Sequence, residues 1–197
     1  NAPAIYEKIG STDYRTLIAE IDAAQDSKAI LMRIDSPGGT VAGLEEASQA
    51  MMDSSVPVFA YCDGMACSAA YHLASSAAAI IASPSADVGN IGTVLAWYDD
   101  SVLMESLGYK MEVITNEGAD LKGTFRDSPM TDSQRDFLQE EINVMGEQFR
   151  NHVENNRSVD PEVFRAGWYQ GERAQSLGLI DAIASHEYAR QTIILGN

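Results

Sequence analysis

The sequence predicts a layered α/β protein that forms one compact domain over residues 1–197. Short apolar runs of strand length alternate with segments whose apolar residues recur at helical spacing. Turns that contain glycine or proline separate these segments, and this order of strand, turn and helix is typical of α/β proteins. A chain of 197 residues with 45% hydrophobic residues is also long enough to bury its own core.

The first half of the chain predicts a regular alternation of helix and strand. Ser11 and Thr12 can cap a first helix, because their side-chain oxygens can accept the free N–H groups of its first turn. The elements expected next are a strand over 29–34, a helix over 41–52, a strand over 56–62 and a helix over 67–78. A turn at Asp63-Gly64 separates the last two.

The second half predicts shorter strands and a long helix. The apolar runs at 79–82, 91–97 and 111–115 predict strands, with a helix over 101–107 between the last two. Residues 116–129 are polar and contain glycine, which predicts a loop. The longest helix begins at Thr131, and a short helix over 161–166 and a terminal helix complete the chain. One stripe of the long helix is apolar: Leu138, Ile142, Met145, Phe149 and Val153.

Composition excludes several classes of function. The net charge is −16, so the surface repels a nucleic-acid backbone and no nucleic-acid partner is expected. Cys62 and Cys67 form no CxxC pair and no His/Cys cluster, so no metal and no cofactor are predicted. No apolar run reaches the roughly 20 residues that span a bilayer. A cytoplasmic location is favoured, or a membrane-associated one if an anchor preceded Asn1.

Ser68 is the candidate nucleophile. It follows a predicted strand and turn and opens a helix of small residues, where backbone N–H groups are unpaired. A plain helix cap is the alternative interpretation of such a serine. Gly38-Gly39 lies in a second turn between strand and helix, and it could direct N–H groups at an oxyanion or simply form a tight turn.

A nucleophilic serine needs a base, and two residues could supply it. Lysine is scarce, and Lys122 lies in a loop flanked by Leu121 and residues 123–125. A partly dry setting there would lower the pKa of the amine towards the neutral form that a general base requires. His72 lies one helical turn after Ser68 and competes for the same role, although no acid is placed to orient it.

Six segments form an ordered series along the chain: Ser36-Pro37-Gly38-Gly39, Ala66-Cys67-Ser68-Ala69-Ala70-Tyr71, Val88-Gly89-Asn90-Ile91-Gly92, Gly118 to Lys122, Tyr169 to Ala174 and Leu177 to Asp181. In this order they resemble the signal peptide peptidase A family of serine peptidases, especially its phage members that act as capsid-assembly proteases. They correspond to the family's SPGG turn, nucleophile segment, TGSIG strand start, lysine loop and terminal signature. Together they are far more specific than any one of them.

The resemblance implies a Clp/crotonase-like fold, a repeated β-β-α superhelix with a flanking region of long C-terminal helix. It makes Ser68 the nucleophile and Lys122 the base. The oxyanion hole would use the N–H groups of Ala69 and of the Gly38-Gly39 turn, with Gly39 preferred. Asn90 stands where the family has a serine that orients the lysine, and its side-chain oxygen could serve the same purpose.

The function implied is a Ser/Lys endopeptidase that cleaves signal peptides or phage scaffold and capsid proteins. Its partners would be peptide or protein substrates and further copies of the chain in a ring, with active sites shared between subunits. A non-catalytic assembly module is the alternative, because Ala69 and Ala70 replace two glycines of the family; an acyl-CoA enzyme is a weaker one. The family's first strand is missing or unrecognisable in residues 1–10, which suggests truncation.

Overall fold

The computed structural model describes residues 5–6, 13–122 and 129–195. The chain divides into two compact units, one formed by residues 1–92 and 149–197 and the other by residues 93–148. The single domain over 1–197 stays a prediction.

The first unit is built on a seven-stranded sheet. Its strands are β1 (Ile5–Tyr6), β2 (Ala29–Ser36), β3 (Val58–Cys67), β4 (Ala79–Ala82), β5 (Asp87–Gly89), β6 (Trp168–Tyr169) and β7 (Ala182–Ile183). The order β1-β2-β3-β4-β7 is parallel throughout. The far end of β3 pairs instead with β5, which carries β6 antiparallel beside it. One long strand therefore belongs to two successive parts of the sheet.

Helices connect the parallel strands, as parallel pairing requires. The helices of the first unit include α1 (Tyr14–Ala23), α2 (Leu44–Met52), α3 (Ala69–Ser75), α6 (Gly171–Ser176) and α7 (His186–Leu195), with a 3₁₀ helix at Pro161–Arg165. The second unit contains α4 (Ser101–Ser106). The long helix α5 (Asp132–Asn156) has residues up to 148 in the second unit and the rest in the first.

The core explains why β3 and α3 lie at the centre of the first unit. Ala60, Ile80 and Val88 are fully buried, as expected for parallel strands covered on both faces. Ala70 and Ala74 on α3 are buried in the same cluster, since small side chains let a helix approach the sheet closely. A smaller cluster of Leu31, Tyr61 and Ala189 brings in α7.

Two predictions about the start of the chain are wrong. The first strand is not missing, because Ile5–Tyr6 pairs in parallel with the beginning of β2. The first helix is capped by Asp13, whose Oδ1 accepts the N–H of Thr16 at 2.9 Å. Ser11 and Thr12 lie outside the described residues.

Three predictions in the middle of the chain are also wrong. The turn expected at Asp63-Gly64 is part of β3, which runs on to Cys67. The strands expected at 91–97 and 111–115 are irregular backbone, and a strand that was not predicted, β5, precedes the first of them. The runs at 29–34 and 79–82 are strands as predicted.

Among the described residues, no helix combines the length and the apolarity that a bilayer crossing needs.

Tyr71 provides a test of how α3 is held in the core. Its Oη is fully buried and donates to the carbonyl of Leu179 at 2.8 Å. Tyr71→Phe leaves that buried carbonyl without its partner, so the free energy of unfolding should fall by about 1 to 2 kcal/mol. Urea denaturation measures the change. Tyr188→Phe, at an exposed position, is the control and should change stability by less than about 0.5 kcal/mol.

Candidate active site

Ser68 occupies a sharp turn between β3 and α3. Its backbone has φ 54° and ψ −126°, a conformation that is strained for any residue with a Cβ. The turn is fixed on both sides: the Ser68 N–H donates to the carbonyl of Gly89 at 2.9 Å, and the Ser68 carbonyl accepts the N–H groups of Tyr71 and His72 at 2.8 and 3.0 Å. Such strained strand-to-helix turns present nucleophilic serines in α/β hydrolases.

The side chain of Ser68 does not cap the helix that it precedes. In the described chain its Oγ accepts no hydrogen bond from the first turn of α3. A capping serine has extended backbone and bonds an N–H two or three residues on. The geometry therefore favours the nucleophile over the plain cap.

The Gly38-Gly39 turn lies directly against Ser68. A Cβ added to Gly38 would be 2.8 Å from the Cβ of Ser68 and 3.2 Å from the amide nitrogen of Ala69. Gly38 also has φ +115°, which side chains rarely adopt. Glycine is required here because the backbone must approach the serine this closely.

Hydrogen bonding separates the two glycines. The N–H of Gly38 donates to Ser36 Oγ at 3.2 Å, so it is engaged within its own turn. The N–H groups of Gly39 and Ala69 have no acceptor among residues 13–122 and 129–195. Two donors, one from the glycine turn and one from the start of α3, can thus meet a carbonyl oxygen of a substrate. This pattern favours Gly39 over Gly38, although the oxyanion hole itself stays a prediction.

A cleft of about 480 Å³ opens beside these donors. It is bounded by α1, β2, the glycine turn and α3, with apolar walls that include Leu17, Ile21, Met32 and Leu73. Gly38, Gly39 and Ala69 also line it. An apolar side chain could be buried there while the adjoining carbonyl reaches the N–H groups.

Asn90 follows β5 next to the nucleophile. Gly89, the last residue of β5, pairs with Cys67, the last residue of β3. Asn90 and Ser68 therefore each follow the end of their strand. Its N–H donates to the carbonyl of Gly167 at 2.7 Å and its Nδ2 to that of Ala166 at 2.9 Å. The amide nitrogen is therefore engaged, and Oδ1 is the atom that can accept a bond from an amine. Its role in orienting a lysine stays a prediction.

Lys122 belongs to the second unit. It lies in a turn, where its N–H donates to the carbonyl of Ala119 at 3.1 Å. Both Lys122 and Leu121 are exposed. The partly dry setting expected from the sequence is thus absent from the described chain around Lys122. Residues 123–125, which contributed to that expectation, lie outside the described residues.

His72 is buried and directed away from a role as base. Its Nδ1 bonds Ser48 Oγ at 2.9 Å, and its Nε2 lies 3.8 Å from Glu45 Oε2. Its ring stacks on His152, with centroids 3.7 Å apart and planes 13° apart. Burial, with a smaller contribution from His152, lowers the pKa of His72 to about 3. Since so weak a base accepts few protons near neutrality, the geometry favours a structural role.

One group of side chains is close enough together to hold a metal ion by distance alone. It consists of Glu45, His72 and His152, whose ligand atoms lie within 4.8 Å of one another. Imidazole binds a metal through a lone pair in the plane of the ring. Two parallel rings 3.7 Å apart cannot both direct such lone pairs at one ion. The three residues do not fit a metal in this arrangement. Sequence spacing did not reveal the stacked pair, since its rings come from helices far apart in the chain.

The histidine pair should make stability depend on pH. Burial also lowers the pKa of His152. In the unfolded chain, His72 binds a proton once the pH falls below its ordinary pKa near 6.5. In the folded chain, His72 stays neutral down to about pH 3. The free energy of unfolding should therefore fall between these values as pH drops, by up to about 1.4 kcal/mol per pH unit for His72. Urea denaturation across that pH range measures the slope.

His72→Gln should flatten this pH dependence. Val153→Ala is the matched control, because it removes buried methyl groups next to His152 without removing a titrating group. The control should lower stability equally at every pH and keep the wild-type slope. An unchanged slope in His72→Gln would show that His72 is not responsible.

These features define a class: a parallel α/β protein of the Clp type, with a strained serine turn beside a glycine turn. The family model described as "Clp protease" matches residues 4–88, and the one described as "Peptidase family S49" matches residues 50–194. The chain belongs to peptidase family S49. The family resemblance and the fold class predicted from the sequence are both confirmed.

Relatives with known names agree with this membership. The chain is 30% identical to the chloroplastic serine protease SPPA of Arabidopsis thaliana over 85% of its own length, and 29% identical to capsid assembly protease C of Escherichia phage lambda over 89%. It spans only 26% and 42% of those two proteins. A lysine-to-alanine mutant of the 1510-N membrane-bound stomatin-specific protease, solved with a substrate peptide, has the same fold, with a TM-score of 0.54, 16% identity and coverage of 90% of this chain and 72% of that one.

Proposed function

We propose that this protein is a serine endopeptidase with a Ser68–Lys122 dyad. The observation that carries the proposal is the strained turn at Ser68, whose hydroxyl is not used as a cap and which is flanked by the N–H groups of Gly39 and Ala69. Membership of peptidase family S49 supports the same activity.

The reaction has two halves. The neutral amine of Lys122 takes the proton of Ser68 Oγ as this oxygen attacks the peptide carbonyl. The N–H groups of Gly39 and Ala69 bind the resulting oxyanion, each contributing about 3 kcal/mol to transition-state stabilisation. Lys122 then gives its proton to the leaving amine, and a water molecule activated by the same lysine hydrolyses the acyl-enzyme. Oδ1 of Asn90 accepts a bond from the amine and orients it.

The substrate is an extended peptide with an apolar side chain beside the bond to be cut. The cleft supports this, because its apolar walls adjoin the proposed oxyanion hole. Among the relatives, one is named for capsid assembly and another is called a signal peptide peptidase. Phage scaffold and capsid proteins and signal peptides are therefore the substrate classes that we propose.

The active protein is a ring in which neighbouring subunits complete each site. Lys122 is exposed in the single chain, whereas a general-base lysine needs a drier setting. The second unit, which carries it, also exposes many large apolar side chains. They are Val94, Leu95, Tyr98, Val102, Leu103, Leu107, Tyr109, Met111, Val113 and Ile114. Packing of this surface against another subunit would bury apolar area and exclude water from the lysine.

Loss of either dyad member should abolish cleavage. Ser68→Ala and Lys122→Ala should each lower kcat/KM on a casein-derived or scaffold-like peptide by about 10³-fold or more. Lys110→Ala is the matched control, since it removes an exposed lysine from the same unit and should keep wild-type activity. Peptide cleavage followed by mass spectrometry provides the measurement. Absence of cleavage by the wild type would favour a non-catalytic assembly module. Full activity in Ser68→Ala would overturn the choice of nucleophile, and a dead His72→Gln beside an active Lys122→Ala would overturn the choice of base.

Mixing the two inactive variants tests whether sites are shared. In a ring assembled at random from equal amounts of Ser68→Ala and Lys122→Ala, about one quarter of the shared sites should join an intact Ser68 to an intact Lys122. Co-refolding the variants and assaying the same peptide measures this recovery. If both residues of a site came from one chain, the mixture would stay as inactive as its components.

A further inference from the structure

The pairing of β2 with β3 changes just before the glycine turn. Ile34 pairs with Cys62, but Ser36 pairs with Ala66. Asp35 alone therefore spans the stretch of β2 that lies opposite residues 63–65 of β3. Such a bulge bends a strand and redirects the residues that follow it.

The side chain of Asp35 fills this bulge. Its Oδ1 accepts the N–H of Met65 at 3.0 Å. A Cβ added to Gly64 would lie 2.5 Å from the same oxygen and 3.0 Å from Cγ of Asp35. The carboxylate therefore packs against the backbone of Gly64, and a side chain on any other residue at position 64 would occupy its place.

Both halves of the proposed oxyanion hole continue from this bulge. On the β2 side, Ser36 Oγ takes up the N–H of Gly38, and Gly39 follows. On the β3 side, Ser68 and Ala69 come directly after the strand. The tolerance is small, because Gly38 lies so near Ser68 that there is no room for a Cβ between them. A shift of β2 along β3 would change the separation of the two N–H donors.

We propose that Asp35 is a positioning residue for the oxyanion hole. Its carboxylate, bonded to the N–H of Met65, holds the Gly38-Gly39 turn in register with Ser68. The inference rests on the proposed peptidase function. Asp35 also lines the cleft, and a residue that only contacted the substrate would act on KM. A positioning residue acts on kcat, because the donors are used most fully in the transition state.

A set of variants separates these roles. Asp35→Ala removes the acceptor and should lower kcat about tenfold with KM changed less than about threefold. Asp35→Asn keeps an oxygen at Oδ1 and should retain most of the activity. Gly64→Ala should resemble Asp35→Ala, because its methyl group displaces the carboxylate. The control is Asp63→Ala: this carboxylate belongs to the same bulge but accepts from Nε of Arg33 at 3.0 Å, and its loss should leave kcat unchanged.

The double variant Asp35→Ala/Gly64→Ala gives the sharpest comparison. Once the carboxylate is gone, the new methyl group has room, so the double variant should be no slower than Asp35→Ala alone. Independent and additive losses, or a kcat for Asp35→Ala equal to that of the wild type, would overturn the inference.

Backbone hydrogen exchange tests the positioning apart from activity. In Asp35→Ala, the amides of Gly38, Met65 and Ser68, which are hydrogen-bonded in the wild type, should exchange faster, whereas Asp35→Asn should resemble the wild type. Wild-type cleavage with a dead Ser68→Ala establishes the peptidase separately, so the Asp35 comparison then judges only the inference. If the wild type does not cleave, the proposed function fails. Unchanged exchange in Asp35→Ala would refute the positioning role, whether or not the protein cleaves peptides.

Discussion

The site depends on the strained backbone of Ser68. A non-glycine residue at φ 54° persists only where its surroundings fix it. Here the carbonyl of Gly89 holds the N–H of Ser68, and α3 holds its carbonyl. The strain keeps the hydroxyl out of a capping position, and the Cβ of Ser68 lies against the turn at Gly38. A relaxed, extended serine would cap α3 and would no longer be available to a substrate.

The sheet provides this constraint through one strand. Because β3 pairs with β2 and β4 along its first part and with β5 at its end, it brings three turns to one place. These turns contribute the glycine donors, the serine and Asn90. The small residues of α3 let that helix lie close against the strand. The buried ring of His72, also on α3, packs against Phe149. The contacts that stabilise the fold therefore also position the residues of the site.

Local sequence patterns predicted whatever depends on local chemistry. Continuous apolar runs predicted β2 and β4, and ordered motifs predicted the family. The roles given to Ser68 and to the glycine turn stay predictions. The extension of β3 through Asp63-Gly64 was missed because a bulge depends on the partner strand, here on Asp35. The runs at 91–97 and 111–115 have strand-like composition but no partner strand in the described chain, and much of their surface is exposed. The setting of Lys122 could not be predicted from its neighbours in sequence, since the adjoining apolar residue Leu121 is itself exposed.

The proposed mechanism requires a covalent acyl intermediate on Ser68. Intact-mass spectrometry of the assembled protein, quenched in acid during turnover of an activated peptide ester and followed by peptide mapping, tests it directly. We expect one acyl group per modified chain, located on Ser68 and absent when that residue is alanine. Turnover with the adduct on another residue, or undiminished labelling of the Ser68→Ala protein, would contradict it.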